Sequence, residues 1–164
     1  PRWGAHDTEV RRRRQPRPAS DRLDSAACMF AREAMSTISV PVSFGELIDK
    51  ITILEIKSER IADPAKLAHV RAEMDLLNAT WDGHGASPTD IATERARLRA
   101  INEALWDIED RIRLKEKARA FDEGFIELAR SVYVRNDERA EIKRAINEKL
   151  GSTLVEEKSY QDYR

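Results

Sequence analysis

The sequence predicts a mainly α fold: an antiparallel helical bundle of four to five helices, with a short two-stranded ribbon joining the termini of the domain. Three observations carry that expectation. Apolar residues recur at alternating steps of three and four through most of the chain. Capping residues, proline and glycine punctuate the pattern at Ser43, Asp63-Pro64 and Gly151. A content of 41% hydrophobic and 36% charged residues in 164 suits one small helical domain with a tail.

Ile38, Val40 and Val42 alternate with period two, and Pro41 confines such a strand to a sheet edge. Ser43 then opens the first helix. Ser43, Phe44, Gly45 and Glu46 have the form of a capping box, in which the Ser hydroxyl accepts from the N3 amide and Glu46 reaches back to the cap amide. Phe44, Leu47, Ile51, Leu54 and Ile61 follow three-four spacing, and Ile48, Ile53 and Ile56 widen the stripe. This helix should be the most buried.

Asp63-Pro64 ends the first helix and begins the second, with Asp as cap and Pro at a position where its missing amide costs nothing. Leu67, Val70, Met74, Leu77 and Trp81 form its seam. After the loop Asp82-Gly83-His84-Gly85, Ser87-Pro88 is expected to start a long third helix carrying Ile91, Leu98, Ile101, Leu105, Ile108 and Ile112. The apolar phase then shifts to Ala118, Phe121, Phe125, Leu128 and Val132, which predicts a break or kink near Asp122. Asn136-Asp137 is read as the cap of a last helix with Ala140, Ile142, Ile146 and Leu150, stopped by Gly151. Thr153 to Val155 is read as a strand whose partner is Ile38 to Val42.

Residues 1–34 hold the block RRRRQPRPAS and are expected to be a disordered Arg-rich leader preceding a start at Met35, with residues 35–164 as a single helical domain. The leader carries 8 Arg against 5 acids, so the net charge of -1 leaves the domain mildly acidic, which argues against a nucleic-acid binder. Cys28, the single cysteine, can form no intrachain disulfide, in keeping with a reducing compartment. No apolar run reaches the roughly 18 residues that span a bilayer. A cytoplasmic protein with no membrane partner is expected.

The blocks VPVSFGELIDKITILEIKSERI, LWDIEDRIR, ELARSVYVRNDERAEIKRAIN and EEKSY resemble a family of small bacterial proteins classified only as a domain of unknown function. The resemblance covers most of residues 36–164. It implies a bacterial origin, a cytoplasmic location and a start near Met35, and it brings no activity, cofactor or catalytic residue.

Carboxylates three apart occur at Glu46 and Asp49, Asp107 and Asp110, and Glu138 and Glu141. Such pairs hold magnesium in helical nucleotide pyrophosphatases, but Glu46 is committed to the cap and the others suit solvated faces, so no metal ligands and no cofactor are assigned. A di-iron bundle needs Glu-x-x-His pairs, which neither His69 nor His84 supplies. A chorismate-mutase-like site would need Arg60, Arg111 and Arg113 to converge on a dianion, whereas arginines so placed usually form a solvated face. Trp81 and Trp106 are read as packing anchors.

What remains is a non-enzymatic helical interaction or accessory protein of the bacterial cytoplasm, with itself or another protein as partner, self-associating through the seams of the third helix and its neighbours. Catalysis is left open. The alternative is a small helical enzyme or binding protein acting on an anionic phosphorylated or carboxylate ligand, with magnesium as its candidate ion. Its site would be Arg130, Tyr133, Arg135, Asn136, Arg139 and Lys143, where cations surround an expected helix N-terminus whose free amides favour negative charge.

Overall fold

A computed structural model describes residues 37–159, so the expected leader, the start at Met35 and Cys28 lie outside the described residues. The chain divides between Val40 and Pro41 into two units. Of the first, only residues 37–40 are described; they are exposed and belong to no helix or strand. The described residues of the second contain four helices: α1 (Phe44–Arg60), α2 (Pro64–Asp82), α3 (Ala92–Ala118) and α4 (Glu123–Leu150). The described residues include no strand, so neither Ile38 to Val42 nor Thr153 to Val155 forms the expected ribbon.

α1 is the hub. It packs against each of the other three helices, while α2 packs only on α1, and α3 and α4 pack along each other. Contact with three helices explains why Ile48, Ile51, Leu54 and Ile56 are almost wholly buried, as the wide apolar stripe predicts. Ser43 caps α1 by accepting from the Glu46 amide at 3.3 Å, but the Glu46 carboxylate turns to Lys143 instead of closing the box. A charge-assisted bond to the buried Lys143 ammonium is stronger than a neutral one to the cap amide.

Asp63 caps α2 as expected, its carboxylate accepting from the amides of Ala65 and Lys66. Trp81 ends that helix inside a core of Ile48, Ile51, Ile91, Leu98, Ile142 and Ile146. α3 starts at Ala92, later than Ser87-Pro88 suggests. The Ser87 and Thr89 amides are spent in turns on His84 and Ala86, Asp90 accepts from the Ala92 amide, and Ile91 is pinned in the core. Burying Ile91 outweighs the local signal.

The phase shift after Ile112 is a true break. Arg119 takes a left-handed conformation with φ 53°, and Asp122 caps α4 by accepting from the Phe125 amide at 3.0 Å. Lys115 reaches both Asp122 oxygens at 2.7 Å and clamps the turn. At the other end of the pair Lys149 meets Glu94, so α3 and α4 run side by side in opposite directions. The break expected at Asn136-Asp137 is absent: α4 is continuous to the left-handed cap at Gly151, φ 66°. Asn136 spends its amide on the Val132 carbonyl one turn back, at 3.0 Å, and packing against α1 and α3 keeps the helix going.

Candidate functional site

Two faces of the α3–α4 hairpin differ in kind. The inner face meets α1 across a buried polar seam. Asp49, almost fully enclosed on α1, receives a two-point contact from the Arg139 guanidinium, with Nε at 2.8 Å from Oδ1. Asn102 of α3 donates to the same Asp49 oxygen at 2.9 Å and to the Thr52 hydroxyl at 3.0 Å, and that hydroxyl donates to the Asp49 carbonyl. Three helices are thus tied through one carboxylate. Bidentate arginine contacts of this sort are strong and directional, and they fix the registers of α1, α3 and α4 together. The hydrogen bonds it donates to Asp49 hold the Arg139 guanidinium charged, its pKa raised against the pull of burial.

One turn along, Gly45 brings α1 into backbone contact with α4. Its amide donates to Asn147 Oδ1 at 2.6 Å, and a Cβ there would stand 2.6 Å from the Lys143 carbonyl. Lys143 is buried between Glu46 and Glu156, each 2.5 Å away. Burial alone would lower its pKa, but the hydrogen bonds to Glu156 and Glu46 outweigh it and leave the ammonium raised. The Lys143 bond in turn draws the Glu156 carboxylate below its ordinary range. Glu156, Glu157 and Lys158 strap the C-terminal segment along α4 through Lys143, Arg144 and the Asn136 carbonyl.

Beyond this seam the inner face opens into a cleft of about 430 Å³ lined by Asn102, Trp106, Arg113, Asn136 and Arg139. Arg113 is paired with Glu109 there, and the Arg60 guanidinium lies 5.7 Å over the Trp106 ring while also contacting Asp107.

The outer face carries a longer groove. Ala104, Ile108, Leu114, Ala118, Gly124 and Leu128 line its distal part, about 830 Å³, and Ala100, Ile101 and Ile142 continue it by a further 410 Å³ or so. Positions 104, 108, 111, 115 and 118 lie about half a turn round α3 from 102, 105, 109 and 113, so groove and cleft are on opposite sides of the hairpin. Small residues at 100, 104, 118 and 124 leave the space; charged residues stand on its walls.

A model of the Family of unknown function (DUF6165) matches residues 38–163. The chain belongs to this family. No curated protein and no solved structure matches it.

In this DUF6165 chain the six residues singled out from the sequence do not converge. Arg130 and Tyr133 are exposed on the distal half of α4, Arg135 pairs with Glu138 on the outer groove, Asn136 and Arg139 face the inner cleft, and Lys143 lies under the C-terminal strap. With α4 unbroken, no helix N-terminus stands among them, so the geometric ground for an anion site there is gone. Arg60, Arg111 and Arg113 likewise diverge, two of them onto neighbouring acids. Of the acid pairs, Glu46 and Asp49 are each bound to a cation, and the described residues contain no group of three metal-ligating side chains.

Sequence reading placed Asp49 on a solvated face and missed Thr52, Asn102 and Asn147; all four are buried and polar. A signal was available for two of them. Asp49 and Thr52 sit within an otherwise apolar stripe of α1, where a polar residue must find a partner or cost stability.

Proposed function

We propose that this chain is a non-enzymatic interaction module of the bacterial cytoplasm, which docks helices in the outer groove of its α3–α4 hairpin. One observation carries the reading. α3 and α4 extend past α1 on a shared open face, with Leu114 66% exposed and small residues where a closed core would have large ones. A third or fourth helix laid there would complete the packing that the hairpin lacks, as amphipathic helices do in apolar grooves. No described helix is long and apolar enough to cross a membrane.

The test is a block. Ala104→Arg fills the groove where its two parts meet, without touching the α1 core. Partners captured quantitatively by the wild-type chain should be lost by this variant while its melting temperature is retained. Unchanged capture by a folded Ala104→Arg protein refutes the reading.

A second reading has one observation in its favour: Asn136 and Arg139 line the inner cleft together with Arg113 and Trp106, a polar concavity suited to a small anionic ligand. Phosphate or nucleotides, with and without magnesium, should then raise the melting temperature, and Arg113→Ala should remove the shift. If none of these ligands moves the wild-type curve, the cleft is only the margin of the ion-pair seam.

A further inference from the structure

The walls of the outer groove are divided by charge. α3 supplies Arg97, Asp107, Arg111 and Lys115; α4 supplies Glu127, Arg135, Glu138 and Glu141. Asp107 is taken up by Arg60, Lys115 by Asp122, and Arg135 by Glu138. The charges left facing outward are two arginines on α3 and two glutamates on α4, all four exposed. Arg97 and Arg111 are fourteen residues apart, and so are Glu127 and Glu141, which is two heptads on each helix. The Lys115–Asp122 pair sets the level of Arg111 beside that of Glu127, and further along the groove Arg97 lines the wall opposite Glu141 and Ile142.

Such a face is complementary to itself in one orientation. When two hairpins stack face to face with a twofold axis parallel to the helices, α3 of one copy lies against α4 of the other, heights are preserved, and each arginine meets a glutamate. A twofold axis across the hairpin instead puts α3 on α3 and α4 on α4, like charge on like. We propose that the outer groove is filled by a second copy of this chain, giving a four-helix arrangement with the twofold along the hairpin, Arg97 paired with the partner's Glu141 and Arg111 with the partner's Glu127. This rests on the docking reading above and names its occupant.

The dimensions suffice. From residue 97 to 118, α3 rises about 32 Å, and two helices side by side are about 20 Å wide, so each copy offers roughly 600 Å² of flat footprint. Specific interfaces bury about 800 Å² of accessible surface per partner, which a ridged face of that footprint can reach. The charges choose orientation and partner, as they do at the flanks of coiled coils, and the small residues let the backbones approach.

The test uses two charge-reversed full-length chains, Arg97→Glu/Arg111→Glu and Glu127→Arg/Glu141→Arg, in sedimentation equilibrium. The wild type should be a dimer in the micromolar range. Each reversed chain alone should lose dimer affinity by about 100-fold or more through like-charge contacts. An equimolar mixture should recover it, which also shows that both chains are folded. Spin labels at Lys117→Cys, in a Cys28→Ser background, should lie within about 25 Å of each other because both tips are at one end; the inverted dimer separates them by about 30 Å along the axis alone.

A wild-type monomer throughout that range overturns self-pairing and leaves the docking reading to stand or fall on Ala104→Arg. Dimerisation of either reversed chain at wild-type affinity, failure of the mixture to assemble, or widely separated tips overturns the proposed pairing.

Discussion

The proximal and distal halves of the α3–α4 hairpin are built from the same two helices and live in different environments. Proximally, Leu98, Asn102, Ile142, Ile146 and Asn147 are buried against α1, and each polar group there has a partner. Distally, Leu114, Phe121 and Ile126 are 66%, 57% and 46% exposed, and the ion pairs are surface ones. The first half holds the fold together through coupled polar contacts in a dry setting. The second packs Ile108 and Leu128 between its two helices but leaves Leu114, Phe121 and Ile126 toward solvent, and so presents a face. Regular apolar spacing is therefore compatible with either a core or an interface; α1 decides which by where it stops.

Substitutions should separate the halves by size of effect. Asp49→Ala removes the carboxylate shared by Arg139 and Asn102 and strands a largely buried guanidinium, so we expect a loss of about 3 kcal/mol in urea denaturation. Removing Arg139 as well should restore part of it. Gly45→Ala forces a methyl against the α4 backbone and should cost about 2 kcal/mol, since neither helix can move without breaking the seam. Ser43→Ala loses one cap bond and should cost about 1 kcal/mol. In the distal half, Leu114→Ser should change monomer stability by less than about 0.5 kcal/mol. A distal loss as large as that at Asp49 would abolish the distinction between the halves.

The smallest effect concerns pH. The Glu156 carboxylate is held low by Lys143, so its contribution is present above the ordinary carboxylate value of about 4.3 and fades as pH falls through the lower folded value. Lys143 is raised, so its contribution is present below the ordinary lysine value of about 10.4 and fades as pH rises through the higher folded value. Between those limits the strap of residues 152–159 should stay on α4. Amide protection in that segment, corrected for the intrinsic exchange rate at each pH, should fall in acid before protection in α1 does; simultaneous loss would mean that the strap reports global unfolding.

Legibility followed the range of the interactions. Ser43, Asp63, Gly151 and the phase shift near Asp122 act within one or two turns, and each stands where the pattern puts it. Ser87-Pro88 and Asn136-Asp137 carry equally good local signals that were overridden, the first by burial of Ile91 and the second by continuous packing of α4. The candidate anion site depended on the second, so it lost its helix terminus with it. Arg139 and Lys143 read as cations of an anion site because nothing local shows that Asp49 and Glu46 lie opposite, 90 and 97 residues away in sequence.

By itself the sequence determined a mainly α domain of this family, the burial of α1, the caps at Ser43, Asp63 and Gly151, and an interruption near Asp122. Those features follow from propensity and periodicity, which neighbours along the chain express without help. Only the tertiary structure decided that Asp49 gathers Arg139, Asn102 and Thr52, that Gly45 is where two backbones touch, and that one face of the hairpin is enclosed while the other stays open. Side-chain partners on separate helices depend on the crossing of α1 over the hairpin, and a helical repeat records that a stripe is apolar without recording what will lie against it.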